Sequence, residues 1–225
     1  MPCDIGYKST ARVVVPLIEP LTFKQRISAP AVDAELMGLI GQDDPDFVDW
    51  MMDLDIDALL EAALKNALSA SGNTSPVTFA IETGDLSATA RYRTRTEKSQ
   101  VEQIAARVSV RWQAEILSIV AQLLDFETTV TTSMADGTEI VTLEGEKQGA
   151  EQVHEYLRVT LDTRRESNIR FEHFSSKANL ASVRSKFVAL AQKLGVKIVL
   201  SEQQESGSPI QSGTLHKHFL KGGKS

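Results

Sequence analysis

TEKSQVEQIAARVSVRWQAEILSIVAQLLD, residues 96–125, is the stretch of sequence that decides the fold. It contains neither Gly nor Pro, and its apolar residues recur at spacings of three and four, as they do along one side of an α-helix. This apolar stripe runs from Val101 through Trp112 to Leu123. The segment 116–124 is apolar almost all round, which indicates that other elements cover it on more than one side. The sequence therefore predicts a long central helix within the hydrophobic core.

Two β-hairpins are predicted to bracket the central helix. Residues 77–82 and 86–95 alternate between apolar and polar side chains around a Thr-Gly-Asp turn. After the helix, residues 126–132 and 138–144 form a second pair of β-rich segments, joined through an Asp-Gly turn that favours a tight hairpin. We expect both hairpins to fold onto the helix and to cover its apolar end.

An acidic helical region is predicted before the first hairpin. A β-branched run at residues 11–15 indicates one strand, and the prolines around it favour a position near the edge of a sheet. Three short helices are predicted at residues 34–40, 45–54 and 57–70, because aspartates stand at their cap positions and glycines follow two of them. Their apolar residues keep helical spacing, so we expect the helices to pack on each other.

The predicted domain boundary lies in the Ser-Gly-Asn-Thr-Ser-Pro segment at residues 71–76, whose composition is typical of a linker. We divide the chain into an N-terminal strand and helical subdomain, residues 1–72, and a core domain, residues 77–201. Residues 202–225 are rich in Ser, Gly and Gln and are basic towards their end, which predicts a disordered basic tail. Within that tail, residues 215–221 are either a short docking peptide or a solvated end.

A strand, helix and strand are predicted to complete the core domain. A short helix at residues 150–157 is expected before two strands at 158–162 and 169–174. A second long helix at 178–194 ends at a glycine and leads into a buried strand at 196–200. The last two strands are placed parallel in one sheet through a crossover helix. The predicted fold class is therefore α+β, with a C-terminal β-α-β unit.

Alternation along the strand at residues 169–174 places His173 on the same side as Ile169 and Phe171. We expect a hydrogen-bonded histidine in the core at this position rather than a metal ligand.

The composition limits the classes of function that fit the chain. The formal net charge is −6, and all of it arises in the first third, where residues 1–70 carry 12 acidic and 5 basic residues. This acidity disfavours nucleic acid as the partner of that region. Apolar runs are much shorter than the roughly 20 residues of a membrane span, and Cys3 is the only cysteine, so no internal disulfide forms. We expect a cytoplasmic protein that needs no membrane and no cofactor.

The segment DDPDFVDWMMDLDID, residues 43–57, is the most acidic in the chain. Asp53, Asp55 and Asp57 have the alternating spacing that opens a calcium-binding loop. Ala58 follows where such a loop requires glycine, so we predict no metal site.

Two other interpretations of this acidic segment remain open. In the first, aspartates such as Asp44 cap successive helices and favour the positive ends of the helix dipoles. In the second, Asp46, Asp49, Trp50 and Asp53 form a protein-binding surface, because an aromatic side chain supplies contact area while carboxylates attract a basic partner.

Arg91, Arg93 and Arg95 alternate along the predicted strand at 86–95, so all three side chains are expected on one face. Such a row of guanidinium groups can bind an anion or the phosphates of RNA. A solvated face paired with carboxylates of the next strand explains the pattern equally well. No aromatic side chain for base stacking shares that face.

Glu115 is the unusual residue of the central helix, since it falls inside the apolar stripe. An unpaired carboxylate there would be costly, and Arg111, one turn earlier, can form an ion pair with it. The alternative is that Glu115 acts as the buried acid or base of a small enzyme.

Three hypotheses of function follow. The first is a non-enzymatic cytoplasmic protein-binding or assembly protein with a basic partner, and homo-oligomerisation is left open. The second is an RNA- or anion-binding module that uses the arginine-lined strand. The third is a small enzyme that uses Glu115.

Overall fold

The structure, a computed structural model, describes residues 4–13, 32–82, 84–92, 94–148, 154–162, 167–199 and 208–210. The predicted fold class is confirmed, since a long central helix lies between hairpins in an α+β fold. The five helices within the described residues are α1 Ala34–Asp43, α2 Pro45–Met52, α3 Ile56–Ala70, α4 Arg95–Gln122 and α5 Lys177–Lys193. The nine described strands are β1 Asp4–Val13, β2 Thr78–Glu82, β3 Asp85–Thr89, β4 Glu127–Ala135, β5 Thr138–Gln148, β6 His154–Asp162, β7 Ser167–Phe174, β8 Ile198–Val199 and β9 Ser208–Ile210.

The helices begin where the sequence supplies side-chain caps. The carboxylates of Asp33, Asp44 and Asp55 accept hydrogen bonds from backbone N–H groups in the first turns of α1, α2 and α3. Thr94 and Glu97 form a reciprocal capping box at the start of α4. Each such cap contributes about 1 kcal/mol, because it satisfies N–H groups that have no partner inside the helix.

The central helix α4 is buried as its apolar stripe predicts. Its 28 residues give it a length of about 42 Å. Trp112, in the middle of the stripe, is only 2% exposed, and its indole Nε1 donates a hydrogen bond to the backbone oxygen of Leu60 at 3.2 Å. This bond ties α4 to α3, and Ile40 and Met51 of α1 and α2 belong to the same hydrophobic core. The N-terminal helices therefore share one core with α4 and the larger sheet.

The larger of two antiparallel sheets contains seven of the described strands. Its order is β4-β5-β6-β7-β1-β8, with β9 also paired to β1, while β2 and β3 form a separate hairpin. The β4–β5 turn is the predicted Asp136-Gly137 dipeptide, in which both residues have positive φ values of 51° and 71°. Positive φ at both central residues gives the turn the twist that a two-residue hairpin requires.

One face of this sheet carries the apolar side chains that pack against the helices. Leu143, Leu157, Val159 and Phe171 are fully or almost fully buried there. On the other face, side chains such as those of Arg158 and Arg170 are exposed. This alternation is typical of an antiparallel sheet with one covered face.

One prediction about the sheet needs correction, and one is confirmed. The predicted edge strand at 11–15 is instead β1, which pairs antiparallel with both β7 and β8. The strands β7 and β8 consequently run in the same direction in one sheet, as predicted for the strand–helix–strand unit, with β1 between them. Residues 14–15 lie outside the described part of the chain.

The helix predicted at residues 150–157 is wrong, because residues 154–157 begin β6 and pair with β5. The alternation of buried and half-exposed side chains in β6 already starts at Glu155 and Tyr156, and the pairing extends the strand to them. Within the tail predicted as disordered, Ser208–Ile210 forms β9 beside the start of β1. Residues 211–225 lie outside the described range.

The expected core position of His173 is also wrong. The register between β1 and β7 shifts, since Tyr7 faces Phe174 while Ser9 faces Phe171. One extra residue on β7 forms a bulge, and His173 adopts a left-handed φ of 67° within it. Phe171 and Phe174 therefore both face the core, and the His173 side chain is 30% exposed.

Within the described residues, no helix combines the length and the apolar character that a membrane span requires.

Candidate functional site

The exposed side of α2 brings the four predicted protein-binding residues together. Asp49, Trp50 and Asp53 lie three, four and seven residues after Asp46, so the four residues share one face. All four are exposed, and the Trp50 side chain is 40% accessible. On the opposite side of the helix, Met51 is completely buried. We call these four residues the α2 face.

Local sequence explains why a short helix forms here. The Asp44 carboxylate accepts a hydrogen bond from the Phe47 N–H at 3.0 Å, and Pro45 occupies the first helical position, where no N–H is needed. The Phe47 and Trp50 rings lie 5.4 Å apart at a tilt of 45°. The start of α2 and the orientation of Trp50 are therefore set by neighbouring residues.

Lysines of α5 hold α2 against the body of the protein. Lys186 Nζ lies 2.6 Å from Asp44 Oδ2 and 4.9 Å from the centroid of the Phe47 ring. The hydrogen bond from Lys186, followed by that from the Phe47 N–H, lowers the pKa of Asp44 below its usual value of 3.8. At the other end of α2, Lys193 Nζ donates to the backbone oxygen of Met52 at 3.3 Å. These contacts fix the helix with its α2 face outward.

All charged side chains in the sequence around the α2 face are negative. Residues 32–57 contain nine acidic residues and neither Lys nor Arg. Capping accounts for Asp33, Asp44 and Asp55. Among the described residues, no lysine or arginine forms an ion pair with Asp46, Asp49 or Asp53 of the α2 face. The carboxylates of the α2 face are therefore available to a cation from outside the described chain.

Large exposed apolar side chains occur on α1 and α2. The described part of the chain exposes five of them, and three belong to these helices: Leu39 at 56%, Trp50 at 40% and Met52 at 61%. Trp50 and Met52 are two residues apart and point to different sides of α2, so Met52 lies at the edge of the α2 face, next to Asp49. Leu39 was not identified from the sequence, although it interrupts an otherwise polar helix surface.

Asp53, Asp55 and Asp57, which have the spacing of a calcium-binding loop, lie at the ends of α2 and α3. Asp55 caps α3 by accepting a hydrogen bond from the Ala58 N–H at 3.1 Å, and Asp57 lies in the first turn of that helix. Within the described residues, no group of three or more His, Cys, Asp or Glu side chains is arranged to hold a metal ion.

The predicted arginine-lined strand is wrong in its geometry. The strand β3 ends at Thr89, Arg91 lies in the connection that follows, and Arg95 is the first residue of α4. Arg93 lies outside the described residues. The physical reason is the capping box at Thr94, since the chain must leave the sheet before that residue can start a helix. The alternation in sequence therefore does not place these side chains on one strand face.

Glu115 forms the predicted ion pair with Arg111. The Glu115 side chain is buried, and its Oε1 lies 2.7 Å from both Nε and Nη2 of Arg111. Arg111 also donates through Nη1 to Thr132 Oγ1 at 3.1 Å and through Nη2 to the backbone oxygen of Val130 at 3.3 Å. The pair therefore connects α4 to β4, which is a structural role.

Comparisons of the chain with protein-family models, with curated proteins and with solved structures give no match. The α2 face is therefore assigned from its own geometry and charge.

Proposed function

We propose that this protein is a non-enzymatic binding protein of the cytoplasm that uses the α2 face to hold a Lys/Arg-rich segment of another protein. The observation that carries the proposal is the position of Asp49 and Asp53 beside the exposed Trp50. A cytoplasmic location agrees with a chain whose single cysteine excludes an internal disulfide.

Helix capping and dipoles do not explain these two carboxylates. Asp49 lies in the last turn of α2 and Asp53 is its C-cap residue, and this last turn contains no basic side chain. The C-terminal end of a helix carries partial negative charge, so each carboxylate there costs about 0.3 to 1 kcal/mol. Lys193 of α5 already offsets part of this charge through its bond to the Met52 oxygen, and a cationic partner would offset more of it.

The partner's chemistry follows from the residues of the surface. Arg or Lys side chains can pair with the carboxylates of Asp46, Asp49 and Asp53 and can also lie over the face of the Trp50 indole. Apolar side chains of the partner can contact Leu39 and Met52. Such a surface fits a basic amphipathic segment of the partner. The opposite charges of the two surfaces accelerate their association, and contact with Trp50 supplies most of the affinity.

Site-specific photo-crosslinking in an extract of the native cells tests the proposal. A benzophenone amino acid replaces Met52, which lies beside Asp49 by the helical rotation of 100° per residue. The matched control carries the same group at Met134 of β4, which is 68% exposed. We expect a discrete product at position 52 that is absent at position 134 and that weakens as salt is added. Mass spectrometry should locate the crosslink in a Lys/Arg-rich segment.

The same crosslinker is then placed in the Asp49→Asn and Asp53→Asn background. Loss of the product there supports the proposal, because only two charges of the α2 face change. The proposal fails if the product persists undiminished in that background. It also fails if the crosslinked segment is acidic or belongs to a second copy of this chain.

A further inference from the structure

A cleft of about 380 Å³ lies between the segment around Asn73 and Pro76 and the first half of α4. Its walls contain two arginines, Arg91 and Arg107, together with amide and apolar side chains of α4. The volume falls within the range of pockets that bind small molecules, which is about 300 to 1,000 Å³. It is separate from the α2 face, whose residues do not line it.

The cleft is located where the hydrophobic core is built from small residues. The hairpin of β2 and β3 packs on α4 through a separate cluster of Val77, Ala88, Val101 and Ala105. Val101 and Ile104 of this region also line the cleft, so the cleft borders the contact between the hairpin and α4.

Within the part of the chain that the structure describes, the two arginines have no carboxylate partner. Among the described residues, neither Arg91 nor Arg107 forms an ion pair. Arg107 Nη2 donates to the backbone oxygen of Asn73 at 3.3 Å, while its Nε is buried and has no hydrogen-bond partner in the described chain. A buried N–H without an acceptor is unfavourable, so the guanidinium group of Arg107 is only partly satisfied within the described chain.

Glu97, the acidic residue among the described residues of the cleft, already accepts a hydrogen bond. Glu97 Oε2 accepts a hydrogen bond from the Thr94 N–H at 3.3 Å as part of the capping box. Along α4, Gln100, Ile104 and Arg107 follow at intervals of four and three residues and thus share one face. This wall of the cleft therefore presents the Gln100 amide, the apolar side chain of Ile104 and the Arg107 guanidinium group, in that order along α4.

We propose that this cleft binds a small organic anion. Its oxyanion, a phosphate or a carboxylate, is held by the guanidinium groups of Arg91 and Arg107, which can each present two parallel N–H donors. The apolar part of the ligand lies on Val101 and Ile104, and the Gln100 amide satisfies its polar substituents.

Titration of the ¹⁵N-labelled full chain by NMR tests the site, with phenyl phosphate, benzoate and benzyl alcohol as probes at constant ionic strength. The first two probes carry the two oxyanions on the same ring, and the third is neutral. We expect saturable shifts of backbone amides in residues 97–107 and 73–75 with at least one anionic probe, and none with the alcohol. The probe that saturates at lower concentration identifies the preferred oxyanion.

Three variants assign the binding to the arginines. Arg91→Ala and Arg107→Ala should each raise the dissociation constant about tenfold, which is the effect of losing one charge-assisted interaction. The control is Arg170→Ala, which removes an equal charge from an exposed position of β7 and should leave the constant unchanged. Because Arg91 is exposed, its variant reports on the site even if Arg107→Ala fails to fold.

The proposal is overturned by any of three results. The first is the absence of saturable shifts with both anions. The second is an equal response to benzyl alcohol, which would show that charge is not recognised. The third is an unchanged dissociation constant in Arg91→Ala.

Discussion

Lys186 of α5 lies 2.6 Å from the carboxylate of Asp44, 142 residues earlier in the chain. The same carboxylate caps α2 through the Phe47 N–H, so one side chain both starts the helix and fastens it to α5. The orientation of the α2 face therefore depends on a contact between two helices that are far apart in the sequence.

Asp44→Asn should destabilise the fold at neutral pH without removing the cap, because asparagine caps helices as well as aspartate does. The lowered pKa of Asp44 means that its ionised form stabilises the folded state. That contribution is fully present above pH 3.8 and is lost as the pH falls through the lowered pKa. Urea unfolding of both proteins at several pH values measures the difference, which should vanish in acid.

Asp43→Asn is the control for the variant of Asp44, since Asp43 is exposed and one residue away. Because Asp43 is the last residue of α1, where a carboxylate lies at the negative end of the helix dipole, this variant should be as stable as the parent protein or slightly more stable at neutral pH. An Asp44→Asn protein with the parent's pH dependence would show that the contact with Lys186 adds nothing to stability.

Tyr156 should ionise only in strongly alkaline solution. Burial, followed by the hydrogen bond from its hydroxyl to Glu144 at 2.8 Å, raises the pKa of Tyr156 from 10.0 to about 12. Because the folded pKa is raised, the stabilising effect is complete below pH 10 and is lost as the pH rises towards 12. Tyrosinate absorbance should show one late titration step that Tyr156→Phe removes. A Tyr156 that titrates near pH 10 would contradict the contact.

Trp112→Ala should lower the free energy of unfolding by about 3 to 5 kcal/mol, because it empties a large volume in the core and leaves the Leu60 carbonyl without its donor. The matched control is Trp50→Ala, which alters an exposed side chain and should change stability by less than about 1 kcal/mol. Chemical unfolding of both variants gives the comparison. Equal stability of the two variants would mean that α4 is not the core helix.

Arg111→Ala should destabilise the fold more than Glu115→Gln does. The first change leaves a buried carboxylate without its partner, which costs about 3 kcal/mol or more. The second leaves Arg111 with its bonds to Thr132 and Val130, so the loss is smaller. If Glu115 were instead a functional acid with no structural role, Glu115→Gln would leave the free energy of unfolding unchanged. Arg111→Ala would then also change the free energy of unfolding only slightly.

Local patterns in the sequence were sufficient to predict the elements that are stabilised by contacts between neighbouring residues. The central helix, the two hairpins and the capped helices follow from periodicity, turn residues and caps within a few positions of each other. The position of β1 was not predictable in this way. It depends on pairing with β7 and β8, more than 150 residues away, and a β-branched run carries no information about its partner.

The errors at single residues have a similar physical origin. His173 leaves the core because a bulge that depends on β1 changes which side chains of β7 face inward. Arg91 leaves the strand because a helix cap three residues later takes precedence over alternation. The common exposed face of Asp46, Asp49 and Trp50, by contrast, follows from helical spacing within α2, whereas the contact of α2 with Lys186 could not be anticipated.

Binding of a basic amphipathic peptide tests the central claim most directly. The dissociation constant of a labelled helix with Lys on one side and Leu on the other is measured by fluorescence anisotropy, at several salt concentrations. The test protein carries Asp49→Asn with Asp53→Asn, and the control carries Glu127→Gln with Glu146→Gln, an exposed pair on β4 and β5. Both double variants have the same net charge.

If the α2 face binds the peptide, the aspartate variant alone should bind it about fivefold more weakly than the parent does, since each exposed charge pair contributes about 0.2 to 1 kcal/mol. Its dissociation constant should also depend less on salt concentration. The control should bind as the parent does. Equal weakening of both variants would show attraction by net charge only, and parent-like binding by both would contradict the proposed role of the α2 face.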